Sequence, residues 1–427
     1  MPASLVTTIV AAAQLRPGNP HSQHFVDARA PANEGRVKTT HVPPASGARG
    51  ISHAYFFLIG LVGVGLLPAL IRSFEVNFSL SHTQMGAILS ASSLVMAAGS
   101  VLSGVWYDRT GPRWVLGAAL AVTAAGALMV WGAASAAAFA SALMLFHFGH
   151  GLGVPVNSLI SQLYGSERGR GLILMHGFQA LGRLGAPALL LVCFALSGGW
   201  RSAFLLSAIL FGTWAALFVY SLQNFVVHAE RSAAGGGARA VLHYLADARL
   251  QTGLLGFVAA SGVEGVLMTW LPTYLQTEGR ASQTGALLAL SAMLIGYSII
   301  RLLLGTGRLT ASARFIGASV VAFLAGLALV LSLPAQLYVL YPACVLLGAA
   351  VGAFWPALAT RLYECFPNAQ GIIGGLIVSA SVLGGASTVT LVGWIGDAFS
   401  LQQALLIMPV CAVAYWWLYR SLALRMA

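Results

Sequence analysis

The sequence predicts an all-α, polytopic membrane protein: twelve transmembrane helices in two pseudo-symmetric six-helix bundles. Three observations predict it. Only 8% of the 427 residues are Asp, Glu, Lys or Arg, and 58% are hydrophobic, whereas an ordinary soluble domain carries about 25% charge. Charge-free runs extend from Arg49 to Arg72, Glu75 to Asp108, Arg113 to Glu167, Arg314 to Arg361, Glu364 to Asp397 and Asp397 to Arg420. A bilayer crossing needs about 20 mostly apolar residues. Finally, Gly104, Arg113, Gly151 and Pro155 recur at an offset of 201 residues as Gly305, Arg314, Gly352 and Pro356. The apolar runs do not alternate every second residue as lipid-facing strands do, so helices are the spanning element. This composition excludes a soluble enzyme, a disordered chain and a disulfide scaffold.

The elements follow in order. Residues 1–50 are polar and contain Pro17, Pro20, Pro31, Pro43 and Pro44; they read as a disordered cytoplasmic tail. The apolar stretch 4–13 is short and no basic residue precedes it, which argues against a cleaved signal peptide. Spans at 53–73, 83–105, 114–134, 137–160, 171–196 and 201–222 make an N-terminal bundle, 51–222. The segment 223–250 holds both charge signs and Gly235, Gly236 and Gly237, the composition of a flexible linker. Spans at 251–275, 284–306, 315–333, 336–361, 371–396 and 401–422 make a C-terminal bundle, 251–427. Cys193, Cys344, Cys365 and Cys411 lie in or beside apolar runs without CxxC spacing, as buried small residues do.

The formal charge of +11 raises nucleic-acid binding, but the basic residues are scattered over short loops. With the N-terminus in the cytoplasm, 17 of the 22 Lys and Arg fall on the cytoplasmic side, 3 outside and 2 within spans. That asymmetry is the positive-inside pattern. It places both termini in the cytoplasm and the chain in the plasma (inner) membrane, where the lipid bilayer is its partner and nucleic acid is not. The chain is read as a monomer with no cofactor. It has a single lysine, Lys38, and no phosphate-cradling loop, so ATP hydrolysis by this chain is not expected.

The loop after the second span reads Gly104-Val-Trp-Tyr-Asp108-Arg109-Thr-Gly111-Pro-Arg113. It resembles the GxxxDRxGxR signature of the major facilitator superfamily, between helices two and three. The resemblance implies a gating loop: Gly104 for close helix approach, Gly111 for a tight turn, and Asp108 as a latch between the halves, with Arg109 and Arg113 beside it. Gly149-His-Gly-Leu-Gly153-Val-Pro155 is similar to the family's Gly-rich fourth helix, and Trp200-Arg201-Ser-Ala-Phe204 to the start of its sixth. The superfamily's antiporter signature is poorly matched by Gly182-Arg-Leu-Gly-Ala-Pro187, which favours symport or uniport. Gly262-Val-Glu264-Gly265 with Trp270-Leu-Pro-Thr-Tyr274, and Arg301 ahead of Gly305, resemble helices seven and eight of the fucose permease-like sugar:proton symporters. That branch carries acids in helices one and four. Here span one has none, and span four has histidines.

Ionisable groups inside spans are costly and mark function. Glu264 lies mid-span seven, where a carboxyl can load and release a proton or can pair structurally with Arg183 or Arg301. Arg183 lies mid-span five on one helical face with His176 and Gln179, and its guanidinium suits a carboxylate. Arg301 sits one turn inside the cytoplasmic end of span eight, within snorkelling reach of the interface. His147 and His150 form a polar stripe in span four with Asn157 and Ser161. They are proton or substrate ligands, or else interhelical hydrogen-bonding groups; no third residue completes a metal set. Trp270 is an aromatic cavity candidate. Together these imply a secondary active transporter of a small polar or anionic organic solute, working by alternating access as a proton symporter. Proton-antiport drug or metabolite efflux and a transport-inactive sensor are the alternatives.

Overall fold

The computed structural model describes residues 46–164, 168–196, 198–222, 238–366 and 370–426; residues 1–45 and 223–237 of the expected tail and linker lie outside these. The described residues are helical from span to span. Span one comprises Ser46–Leu58, a π-helical segment Ile59–Val64, and Leu66–Phe78. Then come His82–Thr110, Pro112–Gly132, Ala136–Leu152 with Val156–Tyr164, Arg168–Ala195 and Gly199–Ser221. The second set is Ala248–Thr277, Gln283–Gly305, Ala313–Ser332, Leu337–Gly352 with Phe354–Cys365, Gln370–Ala398, and Leu401–Ala404 with Ile407–Met426. Among the described residues eleven helices are long and apolar enough to cross a membrane, and the shorter Ala136–Leu152 supplies the fourth crossing. The expected twelve-span organisation is therefore present.

Helix ends follow local chemistry. Ser81 opens span two with a capping box: its side chain accepts from the Gln84 N–H, and Gln84 Oε1 accepts from the Ser81 N–H, satisfying two otherwise orphaned donors. Ser135, Ser282 and Ser312 cap spans four, eight and nine in the simpler way. Gly111, with φ of 76°, ends span two and hands over to Pro112 at the first position of span three. That conformation is the left-handed turn expected of it.

The 201-residue repeat is visible in the helix breaks. Span four stops at Leu152 and restarts at Val156; span ten stops at Gly352 and restarts at Phe354. Pro155 and Pro356 stand at the restarts, where a residue without an N–H costs the helix nothing. One half of the expected linker differs from expectation. Ala238–Leu245 is a helix, and Asp247 caps span seven by accepting from the Arg249 N–H at 2.7 Å. The composition changes at residue 238, where glycine gives way to Ala, Arg and Leu, good helix formers. The Arg249 guanidinium, 2.7 Å from the Asp247 carboxylate, holds that carboxyl below its usual range.

Both bundles belong to one compact unit. They meet through span two against eleven, span one against seven, and span five against eight. Between spans two and eleven the Ser90 hydroxyl donates to the Ala386 carbonyl at 2.6 Å, and the Thr390 hydroxyl donates to the Gly86 carbonyl at 3.2 Å. At the end of that seam away from the C-terminus, Asp397 accepts from the backbone N–H groups of His82 and Thr83 at 2.9 and 2.7 Å. An acid of one half thus caps a helix of the other, where the helix dipole favours negative charge. Beside it the fully buried Glu75 carboxylate is held by His82 Nδ1 at 2.6 Å and by Arg72 at 3.5 Å.

Candidate functional site

A cavity of about 400 Å³ lies between the halves. Its walls come from spans one, two, four, five, seven, eight, ten and eleven; the polar ones are Ser90, Ser93, His147, Arg183, Ser261, Glu264, Thr269 and Ser381. The remainder is apolar apart from Trp355, whose indole N–H donates to Ser381 Oγ at 3.2 Å. A mostly apolar chamber with a few convergent polar groups is the usual form of a small-molecule site.

Arg183 and Glu264 line this cavity, and Arg301 meets Glu264 from off its wall. Glu264 Oε1 lies 3.5 Å from Arg183 Nη1, and Oε2 lies 3.4 Å from Arg301 Nη2. One carboxylate therefore sits between two guanidinium groups from spans five and eight. Tyr297, one helical turn before Arg301, joins all three. Its hydroxyl donates to Glu264 Oε1 at 2.6 Å and accepts from Arg183 Nη1 at 3.2 Å. Its ring lies 4.1 Å from the Arg301 guanidinium carbon, a cation–π contact. Arg301 Nε also donates to the Gly352 carbonyl at 3.2 Å, at the break of span ten. The sequence placed Arg183, Glu264 and Arg301 individually and left Tyr297 in the background. The signal for it was its spacing: four residues before an arginine it shares that arginine's face.

The packing around Arg183 explains why span five comes so close. A Cβ on Gly182 would strike the Phe57 backbone, and one on Gly60 would strike the backbone of Gln179. Both contacts fall at the π-helical stretch of span one and its lead-in, and π-turns cluster at functional sites.

The other sequence candidates are distributed differently. His147 is on the cavity wall; its Nδ1 bonds to the Leu143 carbonyl of its own helix at 3.0 Å, which leaves Nε2 for the cavity. His150 is buried off the wall, edge-on to Phe146 with centroids 4.5 Å apart, and it packs where Gly63 has no side chain. It fills the core of the N-terminal bundle. His176 is exposed and stands within electrostatic range of Arg183 and Arg301, with the half-buried Gln179 between it and Arg183 along the helix. Trp270 is fully buried and lies off the cavity wall. Its indole N–H donates to the Val389 carbonyl at 3.0 Å and its ring is edge-on to His82. It wedges spans two, seven and eleven together because Gly86 and Gly393 leave room for it. Trp355 takes the wall position instead. On span eleven Gly384 lets the Val258 backbone of span seven approach, and Gly385 lies near the Ser261 carbonyl.

The loop after span two is partly described. Asp108 lies in the last turn of span two, and its side chain is outside the described residues. Arg109 is exposed, and the Arg113 guanidinium lies 4.8 Å from the Trp114 ring. Gly104 departs from expectation: a Cβ there would meet nothing within 4 Å. The hydrogen bonds between spans two and eleven lie toward the other end of span two, at Gly86 and Ser90, and span four packs on the neighbouring Ser103 instead, so among the described residues no atom occupies the place a Gly104 side chain would take.

A helical bundle of this kind with charged groups at the seam of two repeats defines a membrane transporter class. The chain matches the family model described as Major Facilitator Superfamily over residues 53–387. The chain belongs to that superfamily, whose members are transporters and not enzymes. It is 36% identical over 157 residues to a putative niacin/nicotinamide transporter, NiaP, of Bacillus subtilis, covering 36% of this chain and 38% of the relative. It is 27% identical over 202 residues to a probable sulfoacetate transporter, SauU, of Cupriavidus necator, covering 44% of this chain and 43% of the relative. The chain thus aligns with about two-fifths of the length of each. Its fold is similar to that of the E. coli fucose:proton symporter FucP, with a TM-score of 0.63, 18% identity, and coverage of 89% of this chain and 99% of that one.

Proposed function

We propose that the protein carries a small organic anion across the plasma (inner) membrane by alternating access, as a proton symporter. The observation that supports this most directly is the charge balance at the seam: two guanidinium groups face one carboxylate. The surplus positive charge beside an otherwise largely apolar chamber suits a solute with one anionic group, which arginine binds in a forked geometry. Both named relatives are described as transporters of small compounds that include an acid or its amide, in keeping with such a solute. Arg183 is the anion contact, and Glu264 is the proton carrier. Arg301, His147, His176 and Gln179 are the supporting polar groups, and His150 and Trp270 hold the bundles around them.

The positive-inside count supports cytoplasmic termini. The seam closed by Asp397 is then the extracellular one, and the conformation is inward-facing. The bundles 51–222 and 251–427 move as the two rocking units around the cavity, the chain acts as a monomer, and the loop from Gly104 to Arg113 gates the cytoplasmic side through Asp108.

Uptake into proteoliposomes tests this reading. An inward proton gradient drives accumulation of nicotinate or sulfoacetate above the outside concentration if it holds. Loss of preloaded anion under the same gradient means exchange, and overturns symport.

A further inference from the structure

We infer that the Tyr297 hydroxyl is the positioning group that couples anion binding to the charge of Glu264, because its single proton can serve one anion at a time. The inference rests on the anion-symport reading and names the atom through which it operates. A phenolic O–H has one proton to donate and lone pairs to accept with. In this conformation the proton goes to Glu264 Oε1 at 2.6 Å, and the lone pair takes the Arg183 N–H at 3.2 Å. A solute anion that reaches Arg183 therefore arrives within reach of the same hydroxyl. When the O–H turns to the solute, Glu264 loses its shortest donor and shares Arg183 with a second negative charge. Both changes disfavour a charged carboxylate. Glu264 then takes one proton from cavity water; the tyrosine proton stays on the tyrosine and only changes direction.

The surroundings of Tyr297 leave few other groups for this task. Span five presents Arg183, and His176 stands within electrostatic range of both arginines. Span seven presents Glu264, and Arg301, on span eight with Tyr297 itself, stacks on the ring. Span ten presents the backbone at Gly348 and Gly352, where any side chain would strike the Tyr297 backbone. The residue is fully buried, so bulk water does not replace its hydroxyl.

Tyr297→Phe isolates the hydroxyl, since the ring remains under Arg301 and the two ion pairs keep their partners. The measurement is proton uptake per anion bound by the purified full-length protein in weak buffer, with nicotinate and, separately, sulfoacetate as probes. The wild type takes up close to one proton per anion bound, and Tyr297→Phe takes up less than half of that while still binding anion. If uptake per bound anion is unchanged in the variant, the inference fails while the anion reading stands. If neither probe binds the wild type, the anion reading fails and the inference with it. Should the phenylalanine variant not fold, 3,5-difluorotyrosine at position 297 keeps the shape and strengthens the donor. The pH midpoint of uptake then moves down, and an unmoved midpoint overturns the inference.

Discussion

At the scale of single residues, the site is a contest for two arginines. Glu264 pairs with both, so its replacement changes more than charge. Glu264→Gln is expected to reduce proton-driven accumulation to simple equilibration while counterflow exchange continues; a variant that still concentrates solute with unaltered pH dependence argues against Glu264 as the carrier. Arg183→Lys keeps the charge and loses the fork. Its expected cost is at least tenfold in anion affinity, about 1.4 kcal/mol, measured by thermal shift against anion concentration. Each ionisable member of this cluster was legible in the sequence, because a charge in an apolar run stands out. Tyr297 was not, because a tyrosine near a membrane helix end is unremarkable until its partners from spans five and seven are in place. Trp270 and Trp355 show the same limit from the other side: both stand in apolar spans, and only packing decides that Trp355 faces the chamber.

At the scale of the helix, glycine sets the distances that bring Arg183 to the seam. Gly182 has the Phe57 backbone where a side chain would be. Gly182→Val is therefore expected to lower stability by about 1–3 kcal/mol, the usual range for overpacking, and to weaken anion binding by pushing span five away. Gly104→Ala, which meets open space in this conformation, is expected to raise stability by about 0.5–1 kcal/mol, the advantage of Ala over Gly inside a helix, seen as a higher melting temperature. The breaks of spans four and ten were foreshadowed by the paired Gly151/Gly352 and Pro155/Pro356 positions. The π-helical stretch of span one was not, because Gly60, Gly63 and Gly65 read equally well as ordinary helix-packing contacts. Ala238–Leu245 was hidden by the three glycines before it, which drew the whole segment into a single linker.

At the scale of the whole molecule, the two ends of span two carry opposite devices. Asp397 from the second half caps its start, and Asp108 lies in its last turn. Replacing either acid by its amide removes a charge from one end of span two, where the proposed rocking motion would open or close the chamber. Asp397→Asn is expected to raise the population open at the outer end, by an amount near the 0.3–1 kcal/mol typical of a charge at a helix N-terminus, roughly twofold to fivefold. Asp108→Asn is expected to cripple transport while leaving anion binding intact. Distances between spin labels at the outer ends of spans two and eleven report the first effect, and uptake beside equilibrium binding reports the second. The fold at this scale was the most legible of all, since charge-free runs and a 201-residue repeat are properties of the chain that no local packing can disguise.

The placement of Trp270 has an optical consequence. Its indole belongs to the second half, yet its ring rests edge-on against His82 of the first, with centroids 5.4 Å apart. Histidine beside an indole alters its emission, and rocking of the halves about the cavity would draw the two rings apart. The protein thus carries its own fluorophore at a contact between its two halves. A change of emission on adding anion should vanish in Trp270→Phe and persist in Trp355→Phe in proportion to the binding that remains. Stopped-flow recording of that signal would time the opening of the outer end without any attached label.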